Sequence, residues 1–150
     1  MAFELGTDGP LALVVGVDGS ETSLRAAAYA AGLARRQHTR LVIVYARKQP
    51  AGLIWLGDQC GVAVREVLAA QDEVERQLRE ALRTQTRAWR VDARLVVRDG
   101  DPLTVLSEVA REVRADAVIV GSSAGVGHRI AGSLAVRLVR AARWPVTVVP

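Results

Sequence analysis

Apolar positions along this chain follow two different rhythms. Residues 11–17, 41–46 and 117–120 are short, almost unbroken apolar runs, as expected of parallel strands buried on both faces. Residues 22–37, 62–86, 102–114 and 134–142 carry apolar residues at helical spacing with charged residues between them. In the first helix, Leu24, Ala27, Ala28, Ala31, Leu33 and Ala34 form the expected inner face. Val67, Leu68, Val74, Leu78 and Leu82 do so in the second, and Leu103, Leu106, Val109, Ala110 and Val113 in the third. Residues 91–97 alternate more, which suits an edge strand, and residues 145–150 form a last strand with a proline at each end.

The boundaries carry their own chemistry. Asp18-Gly19-Ser20 closes the first run with strong turn residues, Ser20 is placed to cap the helix, and Glu21 lies in its first turn. Gly100-Asp101-Pro102 is a helix start, with Asp101 as cap and Pro102 at the first helical position. The order β-α-β-α-β-α-β-α-β implies one α/β domain over residues 1–150, a five-stranded parallel sheet with helices on both faces. Residues 1–10 read as a flexible tail. Residues 47–61 are the least regular part, and their apolar island Leu53-Ile54-Trp55-Leu56 can pack on the core, cover a pocket or meet a partner.

One stretch adds a chemical signal. After residues 117–120 the chain enters a loop rich in glycine and serine that holds Gly121, Ser122, Gly125, Gly127, Gly132 and Ser133, and Leu134 begins the last helix. Strand, glycine loop and helix N-terminus form a natural anion site, since glycine admits close approach and the first helical N–H groups lack partners. The plainer reading is a glycine turn between strand and helix. His128 and Arg129 within the loop either clamp a phosphate or face solvent. In such sheets ligands sit beyond the carboxyl ends of the strands, where the winding reverses. If the first and fourth strands are neighbours there, Asp18 and the glycine loop share one crevice. Asp18 then suits a ribose or base and the loop suits phosphates.

Composition narrows the classes. Half of the 150 residues are hydrophobic but 4% are aromatic, so the core is aliphatic. Lys plus Arg number 20 against 16 Asp plus Glu, and the arginines are scattered, which argues against a nucleic-acid surface. The single cysteine, Cys60, excludes a disulfide framework and speaks against a Cys/His metal cluster. The sequence shows neither a signal-peptide layout nor an apolar run of membrane-spanning length, which reads as a soluble cytoplasmic protein with no membrane partner. Residues 14–20, 100–102, 118–122 and 132–133 and the closing run 144–150 together resemble the universal stress protein family over essentially the whole chain.

That resemblance implies strand order 3-2-1-4-5 in a Rossmann-like, adenine nucleotide alpha hydrolase-like fold. It also implies homodimers paired through the C-terminal strand, and stress-linked roles. One branch of the family binds ATP, with Mg2+ as a possible companion ion, through glycine, two residues, glycine, nine residues, and glycine with Ser or Thr. Here Gly121 and Gly132-Ser133 match the ends of that pattern, but Ala124 stands at the second glycine and the interval is two residues short. Gly125 or Gly127 stands in for it. Asp18 matches the aspartate that holds adenosine, Val17 lies beside it, and Ala46 falls at the position lining the base pocket.

No paired carboxylates, nucleophile elbow, serine–histidine constellation or Gly-Lys-Ser/Thr P-loop occurs, so no catalytic residue is expected. The expectation is a dimeric ATP-binding stress-response or signalling protein acting on protein partners. The alternative is a scaffold of the same fold that binds no nucleotide.

Overall fold

The computed structural model describes residues 12–49, 60–122 and 134–150. Nine elements follow one another: β1 (Ala12–Val17), α1 (Glu21–Gln37), β2 (Arg40–Arg47), α2 (Cys60–Trp89), β3 (Ala93–Asp99), α3 (Pro102–Glu112), β4 (Ala117–Gly121), α4 (Leu134–Ala141) and β5 (Val146–Val149). The strands form one parallel sheet in the order β3-β2-β1-β4-β5. The expected tail at residues 1–10 and the island at 53–56 lie outside the described residues.

The two-residue period of a strand divides each apolar run between two cores. Leu13, Val15, Val17, Leu41, Tyr45 and Ile119 pack with α1 and with Leu78 of α2. Val14, Val42, Val44, Val118 and Val120 pack with Val105, Leu106, Val109 and Ala110 of α3 and Ala135 and Leu138 of α4. Each such aliphatic side chain removed from water contributes about 1.5–3 kcal/mol, which is why unbroken apolar runs end up at the centre of the sheet. Trp144 packs on the second of these cores.

Four expectations need correction. The inner stripe of α1 is Ser23, Ala26, Ala30 and Ala34, whereas Leu24 is 47% exposed. The phase is set by Ser23, whose hydroxyl is bound into the turn before the helix, and small residues bring the helix close to the sheet. In α3 the stripe includes Val105, which the spacing did not single out, while Leu103 and Val113 stay at its margin. α2 runs 30 residues and exposes Val67 and Leu68 instead of burying them. At ~1.5 Å per residue such a helix is about 45 Å long, roughly twice a seven-residue strand at ~3.3 Å per residue, so its first turns overrun the strand beside them. Finally, β3 is Ala93–Asp99, two residues later than expected. Its ladder continues through Ala46↔Arg98 and Arg47↔Asp99, because Arg98 pairs with Glu112 at 2.7 Å and Arg47 lies 3.9 Å from Asp99, which makes charged residues tolerable on this edge strand.

Candidate functional site

β1 and β4 are hydrogen-bonded neighbours whose chains leave in opposite directions, one to β2 and one to β5. At their carboxyl ends the structure holds a cavity of about 590 Å3. Gly16, Val44, Ala46, Leu106 and Val120 supply apolar wall. Val17, Asp18 and Ser20 line it from the end of β1, Thr22 and Ser23 from α1, and Gly121 and Ser122 from the end of β4. Lys48, Asp101, Pro102, Leu134 and Arg137 complete it.

The turn after β1 is fixed by its own polar groups. The Ser20 N–H donates to Asp18 Oδ1 at 2.9 Å, and the Asp18 N–H donates to Ser23 Oγ at 3.2 Å. Ser20 caps α1 by accepting from the Ser23 N–H at 3.3 Å, and the Ser23 hydroxyl donates to the Ser20 carbonyl at 2.9 Å. Burial pushes the Asp18 carboxyl up, but hydrogen bonds from Ser20 and Ser23 outweigh it, so the group lies below its ordinary value and is an anion at neutral pH. Gly19 adopts φ +84°, a left-handed conformation suited to glycine, and its Cα faces Val74 of α2. Gly19 is therefore the turn residue of this segment, and it is not among the residues that line the cavity.

Gly121 serves a different need. A Cβ there would stand 2.6 Å from the carbonyl carbon and oxygen of Thr22, so only glycine lets the end of β4 reach the first turn of α1. This close approach brings Ser122 beside the Asp18 turn. Ser122 is held by its N–H, which donates to the Val149 carbonyl at 2.7 Å.

Three charged residues in the wall, Lys48, Asp101 and Arg137, were not among the binding residues expected from the sequence. Lys48 lay in the stretch read as irregular, but its N–H donates to Gln71 Oε1 at 2.8 Å and its carbonyl accepts from Gln71 Nε2 at 3.1 Å. Gln71 is buried, so this clamp fixes the backbone of Lys48 at the cavity wall. Its neighbour Arg47 is instead consumed by Asp72 at 2.7 Å and Glu75 at 3.1 Å. Asp101 caps α3 by accepting from the Thr104 N–H at 3.1 Å, as expected, and also receives Arg137 of α4 through two bonds of 3.0 and 3.1 Å. The Arg137 guanidinium, with Thr104, holds the Asp101 carboxyl below its ordinary value against the opposing pull of burial. Helical spacing hid Arg137 among the polar positions of α4, and capping was enough to explain Asp101.

Val17, Asp18, Ser20, Ala46, Gly121, Ser122 and Leu134 thus meet around one cavity. Gly125, Gly127, Arg129, Gly132 and Ser133, with His128, lie outside the described residues. Among the described residues, no group of three or more His, Cys, Asp or Glu gathers to hold a metal ion, and no helix is long and apolar enough to cross a membrane. An apolar wall that also presents the carboxylates Asp18 and Asp101 and the cations Lys48 and Arg137 fits a partly apolar ligand that carries charged or polar groups.

Comparison with known proteins places this geometry. The profile of the Universal stress protein family matches residues 12–150. A protein of that family from Burkholderia pseudomallei is 28% identical, with 93% of this chain and 95% of that one covered and a TM-score of 0.68. A universal stress protein solved in complex with cAMP is 25% identical over 95% of this chain and 98% of that one, with a TM-score of 0.63. One from Archaeoglobus fulgidus in complex with dAMP, 22% identical over 93% and 98% of the two chains, shares the fold at a TM-score of 0.56. None of the curated proteins matches by sequence.

Proposed function

Since the chain belongs to the universal stress protein family, we propose that it binds an adenine nucleotide in the cavity between β1 and β4, with ATP as the expected ligand, and that occupancy signals to protein partners. The observation that carries this reading is the cavity itself. Asp18 stands as an anion at the end of β1, Ala46 and Val44 offer apolar wall for a base, and Ser122 and Leu134 border the glycine-rich segment on the phosphate side. The relative crystallised with cAMP supports an adenine ligand. Mg2+ would enter with the phosphates of ATP.

We read the protein as a binder and not as an enzyme. Both carboxylates of the described wall are engaged, Asp18 within its own turn and Asp101 by the α3 cap and Arg137. We also propose a cytoplasmic homodimer joined through β5, which stands at the edge of the sheet and exposes its own Val148. Pro145 and Pro150 limit the donors at its ends. The short glycine interval favours the second reading, a scaffold of the same fold that binds no nucleotide.

Isothermal titration calorimetry with ATP, ADP, AMP and cAMP separates the two. Saturable binding of one nucleotide per chain that Asp18→Ala weakens by about tenfold supports the nucleotide reading, on the scale of a lost charge-assisted hydrogen bond. No heat at millimolar nucleotide leaves the scaffold.

A further inference from the structure

The pair between Arg137 and Asp101 differs from the other ion pairs of the molecule. Among the described residues it is the one salt bridge with both members in the cavity wall. The comparable forked pairs, Arg98 with Glu112 and Arg76 with Glu73, lie away from the cavity. Both side chains of the Arg137 pair are a little under half exposed, 44% and 43%, and an ion pair so open to water is held weakly. Its donor fork is the geometry that also recognises phosphate oxygens.

Breaking the pair leaves neither partner helix loose nor the carboxylate stranded. Asp101 keeps the Thr104 N–H at 3.1 Å and the Thr104 hydroxyl at 3.3 Å, and it stays at the positive end of α3. The two helices remain joined through the core that holds Leu106, Val109, Ala135 and Leu138. An exchange of Arg137 from Asp101 to an incoming anion therefore costs little on the protein side.

Resting on the nucleotide reading above, we propose that Arg137 is the charge-reading residue of the cavity, kept in place by Asp101 until a phosphate group of the ligand takes its guanidinium. Specificity then follows the ligand's phosphate charge as well as its base. Asp101 sets the threshold, because any ligand must outcompete a carboxylate already in the fork.

The test is calorimetric titration of the full chain with adenosine and with ATP, read as the ratio of the two dissociation constants. In the wild type ATP binds more tightly. Arg137→Gln lowers the ratio by about tenfold or more, as expected for a lost forked contact to a charged group. Arg137→Lys, which keeps the charge but not the fork, lowers it less. Asp101→Asn keeps a side-chain oxygen for the α3 cap and raises the ratio, because the guanidinium is released. Arg98→Gln, remote from the cavity, leaves it unchanged.

A ratio that ignores Arg137→Gln and Arg137→Lys overturns the proposal, as does an equal loss for adenosine and ATP, which would make the pair a helix fastening. Both results leave the nucleotide reading standing. A wild type that binds neither compound overturns that reading and this one together.

Discussion

Two depressions among the described residues, one at the N-terminus of α1 and one along its flank, are built from opposite chemistry. The cavity at the carboxyl ends of β1 and β4 is lined by Asp18, Lys48, Asp101 and Arg137 among apolar neighbours. The second, of about 290 Å3, lies between α1 and α2 over β2 and β3 and has no charged residue in its wall. Leu24, Ala27, Ala28 and Ala31 face Leu78, Ala81 and Leu82 across it, with Gln85 and Thr86 as its polar members. Apolar area alone makes a depression, but a ligand is oriented by a few placed polar groups, and only the first depression has them on several elements at once. Backbone geometry causes the difference. Strand ends, tight turns and helix starts converge at the first site, whereas the second lies along the flanks of two helices, where α1 presents alanine.

Four changes test that contrast, from the largest expected effect to the smallest. Gly121→Val acts on the approach of β4 to α1, since its Cβ would fall 2.6 Å from the Thr22 backbone. Backbone cannot yield as a flexible side chain does, so urea unfolding shows a loss of about 3 kcal/mol, and nucleotide binding falls with it. Ala46→Phe fills the apolar wall of the first cavity and weakens ATP by about tenfold or more in calorimetry, with a far smaller change in stability. An equal loss from filling the second depression would erase the distinction between them.

Acid supplies the third test. Asp18 titrates below its ordinary value in the folded state, so its contribution is complete above about pH 4, where the unfolded group is ionised, and is lost as pH falls through the depressed folded value. Urea midpoints at pH 7 and pH 3 therefore converge in Asp18→Asn relative to the wild type. The smallest effect is expected from Ala28→Leu, on the exposed side of α1 in the second depression. It leaves ATP affinity unchanged and shifts stability by less than about 1 kcal/mol.

Much of the fold was legible because apolar runs, caps and turns obey local rules. The capping by Ser20 and Asp101 appears as the pattern implied, and the strand order, with the β1 and β4 ends side by side, as the resemblance to the universal stress protein family implied. The phase of α1 was not legible, since alanines on several sides offer more than one stripe and Ser23, a polar residue, turned out to anchor the buried one. The overrun of α2 was hidden for a similar reason, because helical spacing reports a face but not how far the supporting sheet extends. In the site, Asp18 and Gly121 stood out through turn chemistry and position. Lys48 and Arg137 did not, because one lay in an irregular stretch and the other on the polar side of a helix. What makes them part of the cavity is the distant Gln71 in one case and Asp101 in the other.

The central claim is that the cavity between β1 and β4, and not the groove between α1 and α2, takes an adenine nucleotide. Amide chemical-shift mapping of the labelled protein during titration with ATP tests it most directly. The account predicts saturable shifts at Asp18, Ala46, Lys48, Ser122 and Arg137, with Ala28, Ala81 and Leu82 unmoved. Shifts confined to the groove, or none at millimolar ATP, would contradict it.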